Sequence, residues 1–281
     1  MKIAITAANG KLSSEIIKAT SKLISKENII GLARSPEKAQ HLGIEIRPGD
    51  YNNPKQLEQS LQNIDVLLLL SGMDAPDKRI IQHRNVINAA KKSGVKKIVY
   101  TSIQGPTKNS SFSSIVLSNR QTEKDIIESG LDWVIGRNGI YIEPDIDYIE
   151  NYKKTGFIKN CANQGKCGYT TRLELAKAYA KMLTENKHNN NIYNLNGTPL
   201  TQIELATYLN KTFKLNLTYQ AISVEEYQQD RILELGEFLG PIITGIYQGI
   251  RNNDFNNSSD FIKVVGRKHQ SWDDYFNQFN Q

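Results

Sequence analysis

Residues 2–14 read Lys2-Ile3-Ala4-Ile5-Thr6-Ala7-Ala8-Asn9-Gly10-Lys11-Leu12-Ser13-Ser14, and the rest of the chain is laid out around them. Ile3 to Ile5 is a short apolar run that reads as a buried parallel strand. Leu12, Ile16, Ile17, Ala19 and Leu23 then recur at helical spacing. Strand, tight small-residue turn and helix in that order bring backbone N–H groups and the positive end of a helix to one point, as in the opening of a dinucleotide-binding unit. The usual glycine pattern there is G-x-x-G-x-x-G or G-x-G-x-x-G. Here Ala7, Gly10 and Ser13 hold the three positions of the first form, so only the middle glycine is present. By itself the stretch also suits an ordinary strand-to-helix turn.

The next unit favours the dinucleotide. Residues 28–33 read as a second strand that ends at Arg34-Ser35-Pro36. In such units an acidic residue at this tip selects NAD, whereas an arginine accommodates the 2′-phosphate of NADP. Arg34 supplies a fixed fork of donors matched to phosphate, and Ser35 adds a hydroxyl. The expected cofactor is therefore NADP(H).

A short helix over 36–41, a third strand over 44–48 and a helix opened by Pro54 and running through Leu57 and Leu61 follow. Residues 64–70 form the strongest strand pattern, apolar on both faces, and Ser71-Gly72 ends it. A helix over 78–92 carries Ile80, Ile81, Val86, Ile87, Ala89 and Ala90. A strand over 97–101 has Ser102 at its tip, a polar loop spans 104–114, a helix runs through Leu117, Thr122, Ile126 and Ile127, and a sixth strand covers 131–136. This alternation predicts an α/β fold, a Rossmann doubly wound parallel sheet, over residues 1–139. Residues 140–281 are expected to form a smaller, mixed substrate-binding domain, from which the strand 191–195 is free to extend the sheet.

Other elements expected in that half are a helix over 173–183, a helix capped by Thr201 and running through Leu205 and Leu209, a strand over 217–222 and a helix over 225–238. Residues 240–250 either lid the cleft or fill an apolar gap. Trp272, Tyr275, Phe276 and Phe279 mark a packing helix, and the Asn-rich pieces 188–191 and 252–257 read as surface loops. Ligands of doubly wound sheets bind beyond the carboxyl ends of the strands. The loops 7–13, 34–35, 71–76, 102–114 and 137–141 are therefore expected to form one cleft.

The 35 Lys and Arg against 29 Asp and Glu give a net charge of +6, spread along the chain. That suits an anionic cofactor and lacks the basic stripe expected of a nucleic-acid partner. No apolar run approaches the ~18 residues of a membrane span, and no signal peptide is expected. Cys161 and Cys167 are too few for a disulfide framework, and His41, His83, His188 and His269 are not spaced to complete a metal site. A cytoplasmic protein with free thiols and no metal is expected, and a homodimer is left open.

The order of elements, the Gly-poor turn and the segments Gln82-His83-Arg84-Asn85-Val86-Ile87-Asn88-Ala89-Ala90-Lys91 and Arg137-Asn138-Gly139-Ile140-Tyr141 resemble the NmrA-like atypical short-chain dehydrogenases. Within these the likeness is to the bacterial NADPH:quinone oxidoreductase type 2 branch, and it runs nearly end to end. It implies that Thr6 and Ala8, Asn9, Gly10, Lys11 and Leu12 cradle the pyrophosphate end and Arg34 holds the 2′-phosphate. Leu70, Ser71 and Gly72 would line the ribose, and Asn138, Gly139 and Tyr141 would approach the nicotinamide. Ala7 and Ser13 stand where the family has glycines.

Ketone-reducing members of the wider superfamily carry Tyr-x-x-x-Lys, in which the lysine lowers the tyrosine pKa for proton transfer. The one literal match, Tyr51 to Lys55, follows the third strand and reads as chance. The helix that should bear the pair has no tyrosine, which disfavours alcohol–ketone and nucleotide-sugar epimerase chemistry. Reduction of an electron-poor quinone needs mainly positioning. Tyr141 is the candidate to hold such an acceptor, with plain packing as its other reading. Arg137 and Arg172 read as salt-bridge partners and His83 as structural. Two functions remain: an NADPH-dependent reductase of quinone-like small molecules, or a non-catalytic NADP(H)-binding redox sensor.

Overall fold

The computed structural model describes residues 1–280. In chain order the first half contains β1 (Ile3–Ile5), α1 (Lys11–Thr20), β2 (Ile29–Ala33), β3 (Glu45–Pro48), α2 (Pro54–Ser60), β4 (Val66–Leu70), α3 (Pro76–Lys92), β5 (Lys97–Ile103), α4 (Ser113–Ile127) and β6 (Asp132–Asn138). The second half adds β7 (Ile140–Tyr141), α5 (Glu143–Asp147), α6 (Ile149–Thr155), β8 (Phe157–Asn160), β9 (Tyr169–Thr170), α7 (Arg172–Thr184), β10 (Asn191–Leu195), α8 (Gln202–Phe213), β11 (Thr218–Ala221), α9 (Val224–Arg251), α10 (Phe261–Val265) and α11 (Trp272–Asn277). Seven parallel strands form the central sheet in the order β10-β6-β5-β4-β1-β2-β3. Strand order reverses between β1 and β4, so a crevice opens beyond their carboxyl ends.

Strands β1, β2 and β4 are apolar throughout because both faces are covered, whereas the edge strands β3 and β10 are partly polar and partly exposed. Ile3 and Ile5 of β1, with Val66, Leu68 and Leu70 of β4, meet Leu12, Ile16 and Ile17 of α1 and Leu175 and Tyr179 of α7. The alternate residues Ala4, Leu67 and Leu69 meet Leu57 beside Val86, Ala89 and Ala90 of α3 on the other face. The expected extension of the sheet is present, with β10 in register from Asn191 opposite Val134 to Leu195 opposite Asn138. A separate cluster around Phe112, Ile142, Tyr169, Leu205, Phe255, Trp272 and Phe276 forms the core of the second half. Among the described residues no helix is long and apolar enough to cross a membrane.

Several expectations are corrected. Leu23 lies beyond the end of α1 and is exposed, and Ile81, Leu117 and Ile127 face solvent, because the buried stripes of α3 and α4 are partly polar. Arg79, Gln82 and His83 fill that stripe on α3, and Ser118, Asn119, Thr122 and Glu123 fill it on α4. Both β5 and β6 run two residues further than expected, to Ile103 and Asn138. Of the two readings of residues 240–250 the apolar filler holds and the lid does not: they continue α9 past a kink at Gly236, whose φ of 80° an L side chain rarely adopts, and pack Ile242, Ile246, Tyr247 and Ile250 into the second core. Gly245 there packs against the Phe112 backbone. The segment 252–257 carries Phe255 into the core, where its carbonyl accepts from Gly168 N–H at 2.9 Å, and His188 is likewise buried.

Candidate active site

The turn after β1 is built around Ala7, which adopts a left-handed φ of 50°. That conformation lets Gly10 N–H donate back to the Ala7 carbonyl at 2.8 Å and sends the chain into α1. The N-cap is Gly10, which offers no side-chain cap, and the first turn of α1 holds no acidic residue. The leading N–H groups of α1 therefore have no partner within the helix. A Cβ at Gly10 would come within 3.1 Å of the Ala7 carbonyl oxygen. These features fit an anion approaching the positive end of a ten-residue helix.

A cleft of about 430 Å³ runs from this turn along the carboxyl ends of β1, β2, β3 and β4. Ala7 and Asn9 form one end, Arg34, Ser35 and Lys38 the rim, residues 49–52 one wall, and residues 71–74 with Gln82 the other. The size lies within the range of small-molecule sites. Three of the five expected loops thus meet here. The loops 102–114 and 137–141 follow β5 and β6 outside this cleft. The β3–α2 connection, which the sequence reading left out, supplies a wall instead.

The expected residues divide accordingly. Asn9, Arg34, Ser71 and Gly72 line the cleft. Thr6, Ala8, Leu12 and Leu70 are buried beneath it. Thr6 Oγ1 accepts from Leu70 N–H at 2.9 Å, and Ala8 N–H donates to the Leu32 carbonyl at 3.0 Å. Lys11 lies on the surface and pairs with Asp147 at 3.5 Å. Asn138 accepts from Tyr179 OH at 2.6 Å and reaches the Tyr141 hydroxyl at 3.4 Å. Gly139 is pressed against the backbone of residue 168, where a Cβ would stand 2.2 Å from the carbonyl oxygen. Tyr141 packs under the Arg172 guanidinium, 5.4 Å from its ring centroid, and burial pushes its phenol pKa up. Its hydroxyl is therefore a neutral hydrogen-bonding group rather than a base.

Lys38 was missed by the sequence reading. It follows Arg34 by four residues in the 3-10 stretch Pro36–Leu42, and that spacing was the available signal. Tyr51 also lies in the cleft, with its hydroxyl 2.5 Å from Thr6 Oγ1 and 2.9 Å from the Leu70 carbonyl. Burial raises its pKa far above the ordinary value, and these contacts make it a brace of the strand ends. The helix α4 is a second brace. Asn119 Oδ1 accepts from Ser71 Oγ at 3.0 Å and from Tyr100 OH at 2.7 Å. Glu123 accepts from Ser102, Arg120 and Arg137, all within 3.0 Å. Arg137 is thus a salt-bridge partner, as is Arg172 with Glu143 at 3.9 Å.

Residues 7–186 match the sequence profile of the NAD(P)H-binding family. The chain belongs to that family, in its NmrA-like branch. It is 35% identical to Quinone oxidoreductase 2 of Escherichia coli over 231 residues, covering 80% of this chain and 79% of the relative. It is 31% identical to an NmrA-like family domain-containing oxidoreductase of Aspergillus flavus over 81% of this chain and 76% of that one. The crystal structure of the Escherichia coli NADPH-dependent quinone oxidoreductase complexed with NADPH superposes with a TM-score of 0.91 at 30% identity, covering 99% of this chain and 100% of that one. The Citrobacter triphenylmethane reductase complexed with NADP(H) gives 0.90 at 30% identity with the same coverage.

Where this NmrA-like chain departs from the family glycines, the two sites differ. The Ala7 methyl packs against the core beneath the turn, and Ser13 is fully buried with an unpartnered hydroxyl. Ser13 is buried beneath the turn while Ala7 lines the end of the cleft, and both substitutions carry a cost in stability. Ala7→Gly removes a left-handed L residue and Ser13→Ala an unpaired buried hydroxyl. Each is expected to stabilise by about 1 kcal/mol, read as a rise in Tm of about 2–4 °C. A fall in Tm for both would contradict this account.

Proposed function

We propose that this chain is a cytoplasmic reductase that binds NADPH along the cleft and passes hydride to flat, electron-poor acceptors of the quinone class. The carrying observation is the convergence of Arg34, Ser35 and Lys38 at one rim of a cleft whose other end is the uncapped N-terminus of α1. When bound, NADPH supplies the hydride. The N–H groups after Gly10, with Asn9 and Lys11, hold the pyrophosphate above the buried floor of Thr6, Ala8 and Leu12. Arg34, Ser35 and Lys38 hold the 2′-phosphate, and Leu70, Ser71 and Gly72 line the ribose. Asn138 and Gly139 set the nicotinamide end, where Tyr141 positions the acceptor with its ring and neutral hydroxyl.

No tyrosine–lysine pair is needed for such an acceptor, because its ring already favours attack and water can protonate the product oxygen. Brace residues occupy α4 in place of that pair. The test is NADPH oxidation at 340 nm with p-benzoquinone, alongside titrated NADPH binding. Turnover above the rate without enzyme is expected. Binding without turnover across several quinones would move the assignment to an NADP(H) sensor, and absence of binding would reject both.

A further inference from the structure

His83 is fully buried, although it lies on α3, outside the residues assigned to hold cofactor or acceptor. Its two ring nitrogens are both engaged. The Gly72 N–H donates to Nε2 at 2.9 Å, and Nδ1 stands 2.8 Å from Thr122 Oγ1. An Nε2 that accepts from a backbone N–H must be unprotonated, so the ring proton sits on Nδ1 and is donated to Thr122. Thr122 Oγ1 passes its own hydrogen to the Ser118 carbonyl at 3.1 Å. The chain therefore has one direction, from the Gly72 peptide through imidazole and hydroxyl into α4. Edge contacts with Tyr51 and Tyr100 at 6.1 and 5.7 Å fix the ring plane.

Burial, with the Arg79 guanidinium one turn earlier on α3, keeps this imidazole neutral and holds its pKa at about 3. The receiving nitrogen thus stays an acceptor at neutral pH. The neighbouring Ser71 peptide is held separately, with its N–H donating to Thr101 Oγ1 at 2.9 Å. Gly72 hangs from the imidazole.

We infer that His83 is a positioning residue for the cofactor: its Nε2 orients the Gly72 peptide and so shapes the wall of the cleft formed by Ser71 and Gly72. The inference rests on the proposed NADPH site, because it acts through that wall. A merely structural histidine would serve through its packing, whereas a positioning one serves through a single acceptor atom. Glutamine places an acceptor near Nε2, and asparagine places its amide near Nδ1 and leaves Gly72 without a partner. Both delete the ring.

The test compares His83→Gln with His83→Asn in the full chain, reading NADPH Kd by titration, KM and kcat with p-benzoquinone, and Tm. His83→Asn is expected to weaken NADPH about tenfold, while kcat at saturating NADPH changes less than about twofold. His83→Gln is expected to recover most of that affinity, with both variants losing similar Tm. Equal weakening by the two variants, or a loss of affinity that follows Tm alone, would overturn the positioning role. Failure of the wild type itself to bind NADPH would instead reject the site on which it rests.

Discussion

Arg34→Ala is expected to raise the Kd for NADPH about 100-fold and to change that for NADH less than about threefold. Arg34 stands at the tip of β2 on the cleft rim, beside Ser35 and Lys38. A charge-assisted hydrogen bond is worth about 1.5–3 kcal/mol, and a guanidinium makes two to one phosphate. NADH lacks that phosphate, so it loses only a distant charge. Lys38→Ala is expected to act in the same direction by about tenfold, since an ammonium on a flexible stem binds phosphate as a point charge. Fluorescence titration of both cofactors measures the ratio. Equal loss for NADPH and NADH would sink the 2′-phosphate assignment.

The second large effect concerns the C-terminal segment. Glu174, in the first turn of α7, has a fully buried side chain. It accepts from Arg267 at 2.6 and 2.7 Å, from Lys177 at 2.8 Å and from Gln270 N–H at 2.9 Å. Burial alone would push its carboxyl pKa up, but these donors outweigh it and hold the group at about 2. The folded value lies below the unfolded one, so ionised Glu174 contributes stability above the unfolded pKa, and this is lost as pH falls toward 2. Glu174→Gln is expected to cost about 3 kcal/mol at pH 7 and little near pH 2. Urea unfolding at pH 7 and pH 3 separates the cases, with the penalty shrinking at pH 3. A penalty independent of pH would show that packing, not charge, ties Arg267 and Gln270 to α7.

The parallel sheet was legible because each signal was local, whereas the switch point between β1 and β4 came only with the strand order. Three apolar residues in β1, five in β4 and a glycine-bearing turn need no distant partner to be read. Arg34 was legible for the same reason, since the position of a strand tip follows from the strand. The polar stripes of α3 and α4 were not. Their burial depends on hydrogen-bond partners on other elements, such as Gly72 for His83, Ser71 and Tyr100 for Asn119, and Arg137 for Glu123. A periodicity built on apolar residues therefore placed Ile81 and Leu117 inward and passed over the residues that brace the cleft.

The sequence by itself determined the alternation of strand and helix, the anion end of α1 and the basic tip after β2, because strand, turn and cap preferences act within a few residues. The sequence offered residues 191–195 as a strand free to extend the sheet; tertiary structure decided that they do so as β10, that α7 covers the sheet face beside α1, and that residues 252–257 deliver Phe255 into a core. It also brought the β3–α2 connection to the cleft wall beside Ser71 and Gly72. Those placements depend on pairing and burial between segments tens to more than a hundred residues apart. Such long-range choices are made by the whole packed chain and leave no short-range pattern to read.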